Sequence, residues 1–216
     1  MYENEEMYAE VGRSYTPAPA ANHIGFCIGV VLLGTVDHEY QGHKSRKKKI
    51  RLFFELTNTV NPDDEKGGPF IVSKEFLYSL GPKSNLKKML DGWRGEALSK
   101  DEAAKFNIAK ILSAPCMINV LIKTSQKGNK YNDISSISQI AEGTVVPVMK
   151  NKPYLFNFNP PFKTEVFQSL PEWVRKIIES SDEYKELTTG AVGTTTAAPA
   201  NAVQPTVSST GKKLPF

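Results

Sequence analysis

The stretch with the clearest chemical character is Lys47-Lys48-Lys49-Ile50-Arg51-Leu52-Phe53-Phe54-Glu55-Leu56. Side chains alternate across a strand, so Ile50, Leu52, Phe54 and Leu56 share one face while Lys49, Arg51, Phe53 and Glu55 share the other. The first set makes a core face. The second places an ammonium and a guanidinium around a phenyl ring, which suits a polyanion whose bases have faces to stack: single-stranded nucleic acid. The ordinary alternative is a half-buried strand with cations on its wet side and Phe53 tucked under a neighbouring loop. Further cations stand within reach of such a surface. Lys44, Arg46 and Lys47 lead into the strand, and a later turn gathers Lys123, Lys127, Lys130 and Tyr131. Trp93 and Arg94 close an inserted helix, where a tryptophan plugs a core more often than it stacks on a base.

Other chemistries find little support. There is no glycine-rich phosphate loop with its lysine, no nucleophile elbow and no cluster of carboxylates; Asp63, Asp64 and Glu65 fall in a loop and read as solvated rather than metal-binding. Cys27 and Cys116, the two cysteines, lie in apolar runs and read as reduced, buried thiols of an intracellular protein. His23, His38 and His43 add no spaced ligand set, so neither a metal nor another cofactor is expected, and an enzyme is not expected either. The formal charge of +4 is unevenly placed. Glu3, Glu5, Glu6 and Glu10 outweigh Arg13 at the start, and the positive excess falls on residues 23–141, which favours a polyanionic partner for that segment. No apolar run approaches the roughly 20 residues needed to cross a bilayer, and the start is acidic where a secretory signal would be basic. A cytoplasmic protein without a membrane partner is therefore expected.

The elements that must position these residues follow from periodicity. Residues 1–22 mix Glu, Tyr, Ala and two prolines without a period and read as a flexible head. Residues 23–36 turn apolar, with Gly25, Gly29 and Gly34 allowing a long, bent first strand. Residues 37–46 are expected as a mobile hairpin loop, and the basic stretch is strand two. After a polar loop, Phe70, Val72, Phe76, Tyr78 and Leu80 share one parity in strand three. A helix is expected over 85–93, and a second opens at Ser99 with Glu102 completing its capping box, carrying Phe106, Ile108, Ile111 and Leu112 as its buried stripe. Residues 116–123 and 131–140 read as strands four and five, joined by a basic hairpin. Three strands, a helical insertion and two more strands match a mainly β protein with a five-stranded Greek-key barrel of the OB-fold type over residues 23–141. Residues 142–187 are expected as an extended arm and one helix, from Leu170 to Leu187, packing on the barrel. Residues 188–216 change to Thr, Ala, Gly, Pro and Val with little charge, which reads as a disordered tail with a hydrophobic tip.

An ordered set of short motifs adds to this: Leu33-Gly34-Thr35; Lys74-Glu75-Phe76 with Ser79-Leu80; Ser84-Asn85-Leu86-Lys87-Lys88 with Gly92-Trp93-Arg94-Gly95; Cys116-Met117-Ile118-Asn119-Val120; and Gly128-Asn129-Lys130-Tyr131-Asn132-Asp133-Ile134. The set resembles bacteriophage single-stranded DNA-binding proteins of the OB-fold class, encoded in replication and recombination modules, over about residues 22–187. The resemblance implies a non-catalytic replication accessory protein that coats single strands, in host cytoplasm. Leu214, Pro215 and Phe216 also look like the end of bacterial single-stranded DNA-binding proteins, where several acids precede an apolar residue, Pro and Phe. That likeness implies docking on replication or recombination proteins, although Lys212 and Lys213 stand where that family has aspartates. The competing expectation is an OB-fold adaptor that works through this tail and binds no nucleic acid.

Overall fold

The computed structural model describes residues 16–190. Its strands are β1 (Ala21–Tyr40), β2 (His43–Leu56), β3 (Ile71–Leu77), β4 (Pro115–Thr124), β5 (Lys130–Ser138) and β6 (Tyr154–Phe156). β1 and β2 run on through the expected loop at 37–46, because Gln41 (φ 50°) and Gly42 (φ 78°) both take the left-handed conformation that a two-residue hairpin turn requires. The loop is therefore a ladder reaching Tyr40 opposite His43. Register shifts between Cys27 and Gly29 and between Leu32 and Gly34 bend β1 as the glycines suggest. At Gly29 a Cβ would lie 2.4 Å from the Tyr154 ring, so any other residue there would displace that ring.

The strands form one sheet in the order β3-β2-β1-β4-β5, antiparallel throughout, with the short β6 added parallel to β1. The expected closed barrel is corrected to an open sheet, for no ladder joins β3 to β5. A side chain bridges the seam instead. Lys74 Nζ lies 3.1 Å from Asp133 Oδ1 and donates to the Ile134 carbonyl.

Between β3 and β4 come α1 (Asn85–Arg94), α2 (Lys100–Lys105) and a 3-10 turn at Ile108–Ile111. Ser84 caps α1 by accepting from Leu86 N and Lys87 N, and Gly95 ends it at φ 74°. The capping box of Ser99 and Glu102 forms as expected. The second helix stops at Lys105, however, so Ile108 and Ile111 reach the core from the 3-10 turn. After β6 follow α3 (Thr164–Ser169), α4 (Glu172–Glu179) and α5 (Asp182–Gly190), where one helix to Leu187 was expected. Ser181 makes the break: its hydroxyl donates to the Ile178 carbonyl and accepts from Tyr184 N, closing one helix and capping the next.

The sheet is covered on both faces along β1 and β2. Leu52, Phe54, Leu56, Trp93, Cys116 and Ile118 belong to the core enclosed by the curved sheet and α1. On the other face of β1 and β2, Ile28, Val31, Leu33 and Phe53 pack against Phe156, Phe167, Val174 and Ile178 of the C-terminal elements. Full burial of such side chains stabilises by about 1.5–3 kcal/mol each, so β6 and α3–α5 form a second core rather than a loose arm. The head expected over 1–22 is tied down where it is described: Ala18 is buried, donates its N–H to Asn132 Oδ1 and accepts from Asn132 Nδ2, while Thr16 donates to Asp63. Residues 1–15 and the tail with Leu214, Pro215 and Phe216 lie outside the described residues.

Candidate nucleic-acid interface

The C-terminal elements close most of the face that the β2 parity offered to a ligand. Phe53 is 4 % exposed, its ring centroid 5.9 Å from Tyr154 and 6.4 Å from Trp173; it is a core residue and not an open stacking platform. Glu55 is wholly buried, and its two carboxyl oxygens accept from Lys150 N, Asn151 N and Asn151 Nδ2 at 2.8 Å each. The β2 parity is as expected, but the layer that covers it comes from elements far along the chain, which leave no mark on a strand pattern.

Lys49 and Arg51 stay at the rim of that cover. Glu75, opposite Arg51 on β3, takes both: 3.0 Å from Lys49 Nζ and 2.8 Å from the Arg51 guanidinium, which also donates to Ser73 Oγ and lies 4.8 Å from the Trp173 ring centroid. Trp93 is fully buried and donates Nε1–H to the Pro115 carbonyl, so it plugs the core. Arg94 is held against Glu96 and Glu102.

The two basic hairpins leave β1 at opposite ends: the Gln41–Gly42 turn follows Tyr40, whereas β4 runs past Ala21 into the turn at residues 125–129. In the first, Lys44 and Lys47 are exposed, but Arg46 is clamped by Asp37 and Asp182 and by the Thr35 and Ser180 carbonyls. That clamp raises the Arg46 guanidinium further above its ordinary range, chiefly through Asp182. In the second hairpin Lys127, Lys130 and Tyr131 are exposed, while Lys123 shares Asp133 with Lys74. Burial alone would raise the Asp133 carboxyl, but the two lysines together hold it below the usual value.

What the fold opens instead is the seam. A groove of about 1130 Å³ runs from His38 and Tyr40 along β3 to β5 and α1. Its floor holds Phe76, Met89 and Ile137, and its walls carry Lys49, Lys74, Lys83 and Lys88 against one acid, Glu75. Lys83 and Lys88 have no acidic partner among the described residues. Of the residues expected from the sequence to contact nucleic acid, only Lys49 lines this groove. Lys83 and Lys88 flank the Ser84 cap of α1, a position legible as a helix start, yet nothing in their spacing tells that the helix borders an unclosed seam. The chain matches no protein-family model, no curated protein and no solved structure.

Proposed function

We propose that this protein binds single-stranded DNA without strong sequence preference, as an OB-fold coating protein of phage replication and recombination, with the β3–β5 groove as its principal contact surface. The strand order supports the fold reading: β3-β2-β1-β4-β5 with β3 facing β5 is the OB order, one ladder short of closure. The observation that carries the functional reading is the groove, in which uncommitted Lys83 and Lys88 stand over an apolar floor beside Tyr40, itself 65 % exposed. Cations track a phosphate backbone, while aromatic and apolar surface receives base faces that only an unpaired strand can offer. The hairpin cations Lys44, Lys47, Lys127 and Lys130 extend the positive surface beyond the groove.

Titration with labelled oligo-dT, oligo-U and duplex DNA over a salt series tests this. Affinity for oligo-dT should fall with rising salt and exceed that for duplex. Replacing Lys83 and Lys88 together by alanine should make the slope of log affinity against log salt shallower by about 1.4, at about 0.7 per phosphate. A slope near zero in the intact protein, or equal binding of duplex, would overturn the reading.

A further inference from the structure

One large aromatic side chain of the C-terminal elements lies beside the second core and is not enclosed by it. Trp173, in the first turn of α4, is 47 % exposed, although tryptophan is the side chain with most to gain from burial. It is also held. The Arg51 guanidinium lies 4.8 Å from its ring centroid, and that guanidinium is fixed in turn by Glu75 Oε2 at 2.8 Å and Ser73 Oγ at 3.3 Å. Phe53 supports the ring from the core at 6.4 Å. Arg51 Nε is buried with no hydrogen-bond partner, so the guanidinium is set against the aromatic surface and its loop of donors is incomplete.

The arrangement is continuous with the groove. Glu75 lines the groove and ties Lys49, also in its wall, to Arg51; Lys49, Glu75, Arg51 and Trp173 thus succeed one another across the outer face of β2 and β3. From this we infer that Trp173 is a stacking platform for an unpaired base, a subsite at which a strand leaving the groove over Lys49 lays one base on the indole. The inference rests on the groove reading and adds to it a contact that belongs to the C-terminal elements rather than to the five-stranded sheet. A ring already pinned by Arg51 and Phe53 loses little freedom when a base covers it, which is the condition for stacking to contribute fully to affinity. Arg51 acts here as a positioning residue, held against the indole by Glu75 and Ser73. The contact reads no sequence, because every base has a π-face.

The two tryptophans make the test direct. Trp93 is fully buried and Trp173 half exposed, so oligo-dT should quench the intrinsic fluorescence of the full chain, and Trp173→Phe should remove that quenching while keeping most of the affinity. Trp173→Ala should weaken oligo-dT binding roughly 5- to 150-fold and leave the salt slope unchanged, because no phosphate contact is lost. Thermal unfolding of both variants separates a folding defect from a lost contact, and the phenylalanine variant retains the packing against Phe53. If Trp173→Ala binds oligo-dT as tightly as the intact protein while the Lys83 and Lys88 variant shows the expected shallower salt slope, the subsite is wrong and the groove stands. If Trp173→Ala weakens binding but the quenching persists in Trp173→Phe, the residue is structural and the inference falls. If the intact protein binds no oligo-dT, the groove reading and this inference fall together.

Discussion

Glu55 carries more than its place in a basic strand suggests. As the last outward-parity residue of β2 it belongs with Lys49 and Arg51, yet it is inaccessible to water and binds the main chain of Lys150 and Asn151 where the chain returns to the sheet. Three N–H donors converge on one carboxyl group at 2.8 Å, so its removal leaves these donors without partners at a part-buried site. Such orphaned groups cost about 1–3 kcal/mol each, and Glu55→Ala should lower stability by on the order of 3 kcal/mol in chemical denaturation. Glu55→Gln should recover part of that loss through its remaining carbonyl acceptor. Equal stability of Glu55→Ala and the intact protein would show that the return of the chain is fixed by β6 packing alone. Cys27 and Cys116 make a complementary case at this scale. Burial pushes both thiols well above their ordinary range, so neither should react with a thiol reagent until the protein is unfolded.

At the scale of elements, what was legible in the sequence divides by the range of the forces involved. Local chemistry was readable: the Ser99 and Glu102 capping box and the inner face of β2 appear where cap and period place them. Contacts made from far along the chain were not. Phe53 and Phe54 are adjacent and chemically identical, and only the arrival of Tyr154 and Trp173 shows that one fills the second core and the other the first. The β1–β2 hairpin shows the same effect, since its base is tied to α5. Glu183 accepts from Thr35 N at 2.6 Å and Thr35 Oγ1 at 3.1 Å and lies 3.4 Å from Lys48, while Arg46 reaches Asp182. Burial pushes the Glu183 carboxyl up, but the Thr35 bonds and Lys48 outweigh it and hold the group below its usual value. With a lowered folded-state value, this docking contributes fully above the unfolded value of about 4.3 and is lost as pH falls through the folded value. Acidification below about pH 4 should therefore release α5 from the hairpin, seen as faster amide exchange at Thr35. Asp37 and Asp133 are also lowered and titrate in the same sense, so the informative comparison is with Glu183→Gln. That variant should lose the protection at neutral pH and show a smaller acid-dependent change at Thr35; an unchanged profile would assign the acid response to the aspartates.

For the molecule as a whole, the open seam is the price of having a groove at all, and Lys74 is the residue that keeps the opening in bounds. Leu56 N bonds to Phe70 O at one end of the β2–β3 ladder and Tyr78 N bonds to Lys48 O at the other, so the even-numbered residues of β3 face β2. The main-chain groups of Ser73 and Glu75 therefore point toward β5, which offers the Ile134 carbonyl from its own free edge. Two such edges in one sheet invite pairing with another chain, and a lysine on the edge is a common guard against it. Lys74 serves that purpose from within, spanning the gap to Asp133 and Ile134 and setting the width at which β3 and β5 stand apart. Replacing it with methionine keeps an unbranched apolar stem one atom shorter and removes the ammonium. The Ile134 carbonyl then lacks its donor, and Asp133 keeps only Lys123. Lys74→Met should cost about 1–3 kcal/mol in stability, speed amide exchange at Ser73 and Glu75, and shift sedimentation toward larger species as concentration rises, relative to the intact protein. The exchange and sedimentation changes should appear together, because both report the same freed edge. If Lys74→Met is destabilised but sediments as the intact protein does at every concentration, the edge is guarded by its twist and by α1, and the lysine only staples the seam.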